Sequence, residues 1–292
     1  MKSIKLAFLI FCVAYSTSLF SQDKPAYKIF NSKSKATDYD KLLKECEKAD
    51  IVFFGELHNS PICHWLQLEL TRDLFKEKKE KLVLGAEMYE ADNQLIINEL
   101  LAGKITDKNF KDEAKLWPNN ETDYKPLLSF AKEKKLRFIA TNIPRRYAAL
   151  VNKRGMEALD SLDAEAKLFI APLPIKYDST LSGYKKMLES DDKSASSHIT
   201  PNLPKAQAIK DATMAYFINK NIVSGGTFIH YNGTYHSENY QGIIWYLKLL
   251  NPNLKIVTIA STEQESIEKL DEESENAADF ILCMPENMTK TR

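Results

Sequence analysis

Two short phrases gather side chains able to move a proton or hold a metal: Gly55-Glu56-Leu57-His58 and Gly233-Thr234-Tyr235-His236. Each is a Gly-x-x-His. Of the five histidines, His58, His64, His230 and His236 fall in or beside these phrases, and only His198 lies elsewhere. Gly85-Ala86-Glu87-Met88-Tyr89-Glu90 adds carboxylates, and Asn142-Ile143-Pro144-Arg145-Arg146 adds guanidinium groups. His58 and His236 with Glu56 and Glu87 make a ligand set suited to a divalent ion such as zinc, manganese or iron, which would activate a bound water. In that chemistry one of the two glutamates serves as general base. Imidazole and phenolate are also haem-iron ligands, which brings in His64 and Tyr235, and Arg145 is a natural partner for a haem propionate.

Each residue also has a plainer reading. Glu56 and Glu87 can cap the helices that follow them. His64 can close the first turn of its helix, and His230, alternating with Ile229 and Tyr231, reads as a satisfied structural histidine. Arg145 and Arg146 are adjacent, so one of them at most faces the same edge as the histidines. Tyr89, Tyr235 and Cys63 can simply pack.

Positioning these groups requires strands that end together. Ile51-Val52-Phe53-Phe54 and Thr227-Phe228-Ile229-His230-Tyr231 are apolar, β-branched runs, each followed closely by Gly, the pattern of a buried strand ending in a tight turn. If both strands lie in one parallel sheet, His58 and His236 share an edge despite standing 178 residues apart, and that edge is where open α/β sheets place ligands. Further strands are expected at 82–87, 136–141, 254–260 and, short, 280–284. Helices are expected at 61–77, 93–101, 144–153, 205–220 and 242–250. Strands alternating with helices predict an α/β fold with a largely parallel central sheet flanked by helices. Between Gly155 and Gly226 only helical patterns occur, so residues 156–225 read as a mostly helical insert able to cover the edge. Within it, residues 189–203 are polar and loop-like. Residues 22–39 read as a polar lead, and the acidic stretch Glu263 to Asp279 as a solvated helix face.

The 292 residues open with Lys2 and Lys5, an apolar stretch from Leu6 to Tyr15 and a small, polar exit to Ser21. That order is a secretory signal peptide, residues 1–21, too short in its apolar part to span a membrane. The expected mature protein, 22–292, is a single soluble domain in the periplasm or outside the cell. It carries 38 basic and 40 acidic side chains, a net charge of −2, which argues against nucleic acid as a partner. Its three cysteines, Cys46, Cys63 and Cys283, form neither a disulfide framework nor a Cys-x-x-Cys zinc ribbon.

Several phrases taken together resemble the ChaN-like haem-binding family. They are Gly55-Glu56-Leu57-His58 followed by Pro61, His64 and Gln67; Gly85-x-Glu87-Met88; the Trp117 to Tyr124 segment; Asn142-Ile143-Pro144-Arg145; Asp211-Ala212-Thr213-Met214-Ala215; and Gly233-x-x-His236 with Gly242-Ile243. They run in the family's order over about residues 48–260. The wider superfamily holds the Tiki and TraB proteins and the erythromycin esterases. The resemblance implies an α/β sandwich with a helical subdomain, a site at the sheet's edge, and haem binding linked to iron acquisition, with Glu56, His58, Glu87, Arg145 and His236 as site residues. An outer-membrane uptake receptor and a homodimer are the partners such a protein would have. Two features depart from the family: Cys63 stands where relatives often show a second histidine, and no lipid-anchor cysteine is evident. The alternative carried by the same residues is a metal-dependent hydrolase, protease-like or esterase-like, acting on a peptide or small molecule.

Overall fold

The computed structural model describes residues 24–189 and 200–291. The expected signal segment 1–21, His198 and most of the polar stretch 189–203 lie outside the described residues. The strands are β1 (Lys28–Asn31), β2 (Ala36–Thr37), β3 (Ile51–Glu56), β4 (Leu82–Glu90), β5 (Arg137–Asn142), β6 (Thr227–Gly233), β7 (Ile256–Gln264) and β8 (Phe280–Pro285). They form one eight-stranded sheet in the order β2-β1-β8-β7-β3-β6-β4-β5. The pairs from β8 to β5 are parallel, while β1 runs antiparallel to both β2 and β8. β3 and β6 are buried at every residue, as strands covered on both faces must be.

The helices are α1 (Tyr39–Cys46), α2 (Pro61–Lys78), α3 (Gln94–Leu101), α4 (Asp107–Glu113), α5 (Lys125–Lys134), α6 (Arg145–Arg154), α7 (Ala164–Lys167), α8 (Ser182–Glu189), α9 (Leu203–Asn221) and α10 (Ile243–Leu250). Their ends follow local chemistry. Ser60 accepts from the Cys63 N–H and Pro61 opens α2; Thr106 and Asn109 cap α4 reciprocally. On one face of the sheet Leu42, Leu70, Leu74, Ile97, Leu127 and Ala131 from α1, α2, α3 and α5 meet Val52, Leu84 and Ile229. On the other, Ala208, Ala212, Met214 and Ala215 of α9 and Ile243, Ile244 and Leu247 of α10 meet Ile51, Phe53, Val83 and Phe228. The result is three layers with the sheet in the middle, the α/β class expected. Between α6 and β6 the described residues hold α7, α8, α9 and 3-10 turns and no strand.

Two expectations are corrected. The polar lead contains β1, whose Ile29 and Phe30 are buried against β8 and the segment beyond β7. Two apolar residues between Lys28 and Asn31 are too few to show as a strand pattern. The acidic stretch Glu263–Asp279 forms no α-helix: β7 continues to Gln264, and only a 3-10 turn, Glu272–Ser274, follows. The Gln264 amide accepts from the Asp271 N–H at 3.1 Å and donates to the Lys269 carbonyl at 2.6 Å, closing a loop that competes with a helical ladder. Ile267 and Leu270 of that loop are buried beside Phe30 and Ile281.

Candidate functional site: paired carboxylates and imidazoles at the sheet edge

β3 and β6 are neighbours, and Glu56 lies level with Gly233 in their register. The two Gly-x-x-His turns therefore leave the sheet side by side. Gly233 is the point of closest approach: a Cβ there would sit 2.9 Å from His58 Nε2 and 3.7 Å from Glu87 Oε2, and its N–H donates to Glu87 Oε2 at 2.8 Å. Glu87 reaches this point because the β4–β5 register shifts between Ala86 and Glu90, a bulge of the kind that re-aims side chains beside sites. Asn142, closing β5, donates to the Glu87 carbonyl at 3.0 Å.

One half of the site is built on Glu56. Its Oε1 meets His58 Nδ1 at 2.8 Å and accepts from the Tyr124 hydroxyl at 2.9 Å, while Oε2 accepts from Gln67 Nε2 at 2.5 Å. Glu56 is fully buried and caps no helix; Ser60 does that. The His58 side chain is 41% exposed, packs against Trp117 with ring centroids 4.9 Å apart, and leaves Nε2 without a hydrogen bond to a described residue. Burial works against a charge on His58, but the Glu56 bond and the nearby Glu87 outweigh it and raise its pKa. His64 is buried behind: Nε2 lies 3.2 Å from the His58 carbonyl and 3.4 Å from Asp123 Oδ2. Asp123 and Tyr124 are held by a π-helix, Asn120–Tyr124, an uncommon element often found at functional sites.

The other half is a buried trio. His236 Nε2 lies 3.2 Å from Glu87 Oε1, and its Nδ1 lies 2.5 Å from Asp211 Oδ1. Asp211, in the middle of α9, also accepts from the Tyr184 hydroxyl of α8 at 2.7 Å. Burial disfavours the imidazolium, but the two carboxylates more than offset it and raise the His236 pKa to about 10. Burial would likewise raise Glu87, yet His236, His58 and the Gly233 N–H hold it well below the usual carboxylate range. Gly242 is required beneath: its φ is +54°, and a Cβ would meet the His236 carbonyl oxygen at 2.4 Å.

The structure thus brings Glu56, His58, His64, Glu87 and His236 together. Both nitrogens of His236 are committed to carboxylates, and among the described residues no group of three or more His, Cys, Asp and Glu is placed to hold a metal ion. This geometry does not support the divalent-ion expectation. Tyr235 faces away into a cleft of about 10 Å³ with Tyr184, Gly183 and Gln241, its buried hydroxyl unpartnered among the described residues. Arg145 is exposed at the start of α6 and makes no ion pair with a described residue, while Arg146 pairs with Asp92 at 2.5 Å and lies over Tyr147. His230 is buried between Thr141 (2.8 Å) and Asn232 (2.9 Å), and burial lowers its pKa to about 4, so it is neutral and structural. Asp211, Tyr124, Gln67, Asp123 and Tyr184 had not been named as site residues. The signal for Asp211 was present in its being the one acid of the helix that runs through Ala208 to Ala215.

The family described as "Haem-binding uptake, Tiki superfamily, ChaN" matches residues 42–247. The structure described as cofacial heme binding to ChaN of Campylobacter jejuni is similar to this one, with a TM-score of 0.66, 16% identity, and 88% of this chain and 96% of that one covered. An erythromycin esterase mutant in its open conformation follows with a TM-score of 0.52, 11% identity, and coverage of 89% and 97%. At such identities these likenesses show the fold alone. The chloroplastic Protein RETICULATA-RELATED 5 of Arabidopsis thaliana is 26% identical over 206 residues, 66% of this chain; that match spans only 27% of the plant protein. The family match, covering residues 42–247, places this chain in the haem-binding uptake family ChaN of the Tiki superfamily.

Proposed function

We propose that the chain is an exported haem-binding protein that serves iron acquisition and holds haem at the carboxyl edge of the sheet. Family membership supplies the ligand class, and one observation carries the placement: His58 alone among the edge imidazoles combines exposure with a ring nitrogen not already bonded. The His58 imidazole would hold a haem iron through Nε2, and the Glu56 bond at Nδ1 fixes the ring and raises the basicity of Nε2. The buried His236 supports the edge through Glu87 rather than reaching the ligand. Arg145 is the propionate partner. Replacing it by Ala removes a charge-assisted contact worth about 1.5–3 kcal/mol, so haemin affinity is expected to fall about tenfold or more; unchanged affinity in a haemin titration removes Arg145 from the reading. The expected leader, lying outside the described residues, directs export to the periplasm or beyond, where an uptake receptor and a second copy of the chain are the proposed partners.

A second reading rests on the Glu56–His58 pair. A carboxylate orienting an exposed imidazole is the arrangement of a general base acting on water, with no metal required of the residues present. Turnover of a p-nitrophenyl ester that disappears in Glu56→Gln supports hydrolysis; no turnover by the unsubstituted chain removes it.

A further inference from the structure

A groove with a volume of about 300 Å³ runs along the open edge of β5, between α3 and α9. It is separate from the carboxylate–imidazole edge, since Arg137 opens β5 whereas Asn142, the residue bonded to Glu87, closes it. Phe217 gives it an apolar wall, Ala91 and Ile139 back it, and Gln94, Asn98 and Asn221 line it alongside. The backbone of the edge strand is already satisfied there, because the Gln94 side chain accepts from the Ala140 N–H at 2.7 Å and donates to the Phe138 carbonyl at 2.9 Å. A peptide strand adding to this edge would have to displace that amide. The groove's charged groups are both cationic. Arg137 is held in place by the Asn221 carbonyl and side chain, and Lys220 lies over the Tyr216 ring. No carboxylate lines the groove, and neither cation pairs with one among the described residues.

The geometry points to a second ligand site that takes a small organic anion, an aromatic carboxylate. The aromatic body lies against the half-buried Phe217 and the carboxylate meets Arg137 and Lys220, the planar guanidinium being suited to a two-point contact. The volume stands at the lower end of the range for small-molecule pockets, about 300–1,000 Å³, and two cations without a carboxylate partner beside the apolar Phe217 match one anionic group with an apolar body better than a bare inorganic anion.

Isothermal titration calorimetry of the intact protein with phenylacetate, and with inorganic phosphate for comparison, tests this. Saturable phenylacetate binding, about tenfold weaker in Arg137→Gln and in Lys220→Gln, with haemin binding unaltered in both, is the expected result. Lys220→Gln guards against a folding artefact, since Lys220 is exposed at the end of α9 whereas Arg137 anchors Asn221. Absence of saturable phenylacetate binding overturns the proposal. So does phosphate binding as tightly as phenylacetate, or affinity unchanged in Lys220→Gln.

Discussion

Glu87 and Asp211 hold the buried His236 ring between two carboxylates, so both carboxylates depend on the imidazolium between them. Removing the imidazole leaves two buried carboxylates without their cation, and breaking a buried pair in that way costs about 3–5 kcal/mol; His236→Ala is expected to lose that much in urea denaturation, far more than Glu90→Ala at the end of β4. The trio also sets a pH dependence. The His236 pKa is raised from 6.5 to about 10, so its contribution is complete below 6.5 and is lost as pH rises toward 10. His230 is shifted the other way, from 6.5 to about 4, so its contribution is complete above 6.5 and is lost as pH falls toward 4. Thermal stability should therefore peak near pH 6.5, and His236→Gln should flatten the alkaline limb while keeping the acid one. An unchanged alkaline limb would contradict the assignment. The two histidine phrases were legible in the sequence because glycine marks where a buried strand stops. The partners of Asp211, Tyr124 and Gln67 were not, because each meets its partner only after packing, across 25, 68 and 11 residues of chain.

At the scale of elements, the site depends on β3 and β6 being adjacent and in register, and on a β4 bulge that turns Glu87 toward Gly233. Two glycines test this. Gly242→Ala places a methyl group against the His236 carbonyl with φ in the left-handed region, and a loss of about 1–3 kcal/mol is expected from the clash. Gly233→Ala meets instead the half-exposed His58 ring, which can swing away. Haemin affinity should drop while the melting temperature stays close to that of the unsubstituted chain; an equal fall in both would place His58 in the core rather than at the edge. The strand-to-helix alternation was readable from apolar runs and capping residues. The bulge was not, since Leu82 to Glu90 carries no glycine or proline that distinguishes a shifted register from a straight one beyond Gly85.

At the scale of the molecule, a parallel sheet with a helical layer on each face gathers the ends of β3, β4, β5 and β6 on one side, and this is where the Glu and His residues of three distant segments converge. The antiparallel β1 and the loop after β7 finish the far side of the sheet by burying Phe30 with Ile281 and Leu270. Fold class was legible because buried parallel strands read as unbroken apolar runs; the far side was hidden because β1 buries only two residues and charge dominates the loop that covers it. All of this architecture serves to present His58 at an edge, its Nδ1 tied to a buried carboxylate and its Nε2 free of bonds to described residues. The most direct test is a haemin titration followed by visible absorbance, comparing the intact chain with His58→Ala. A saturable Soret shift at low micromolar haemin, weakened and moved in wavelength by the substitution, is the expected result. No saturable shift, or an identical titration for the two proteins, would contradict it.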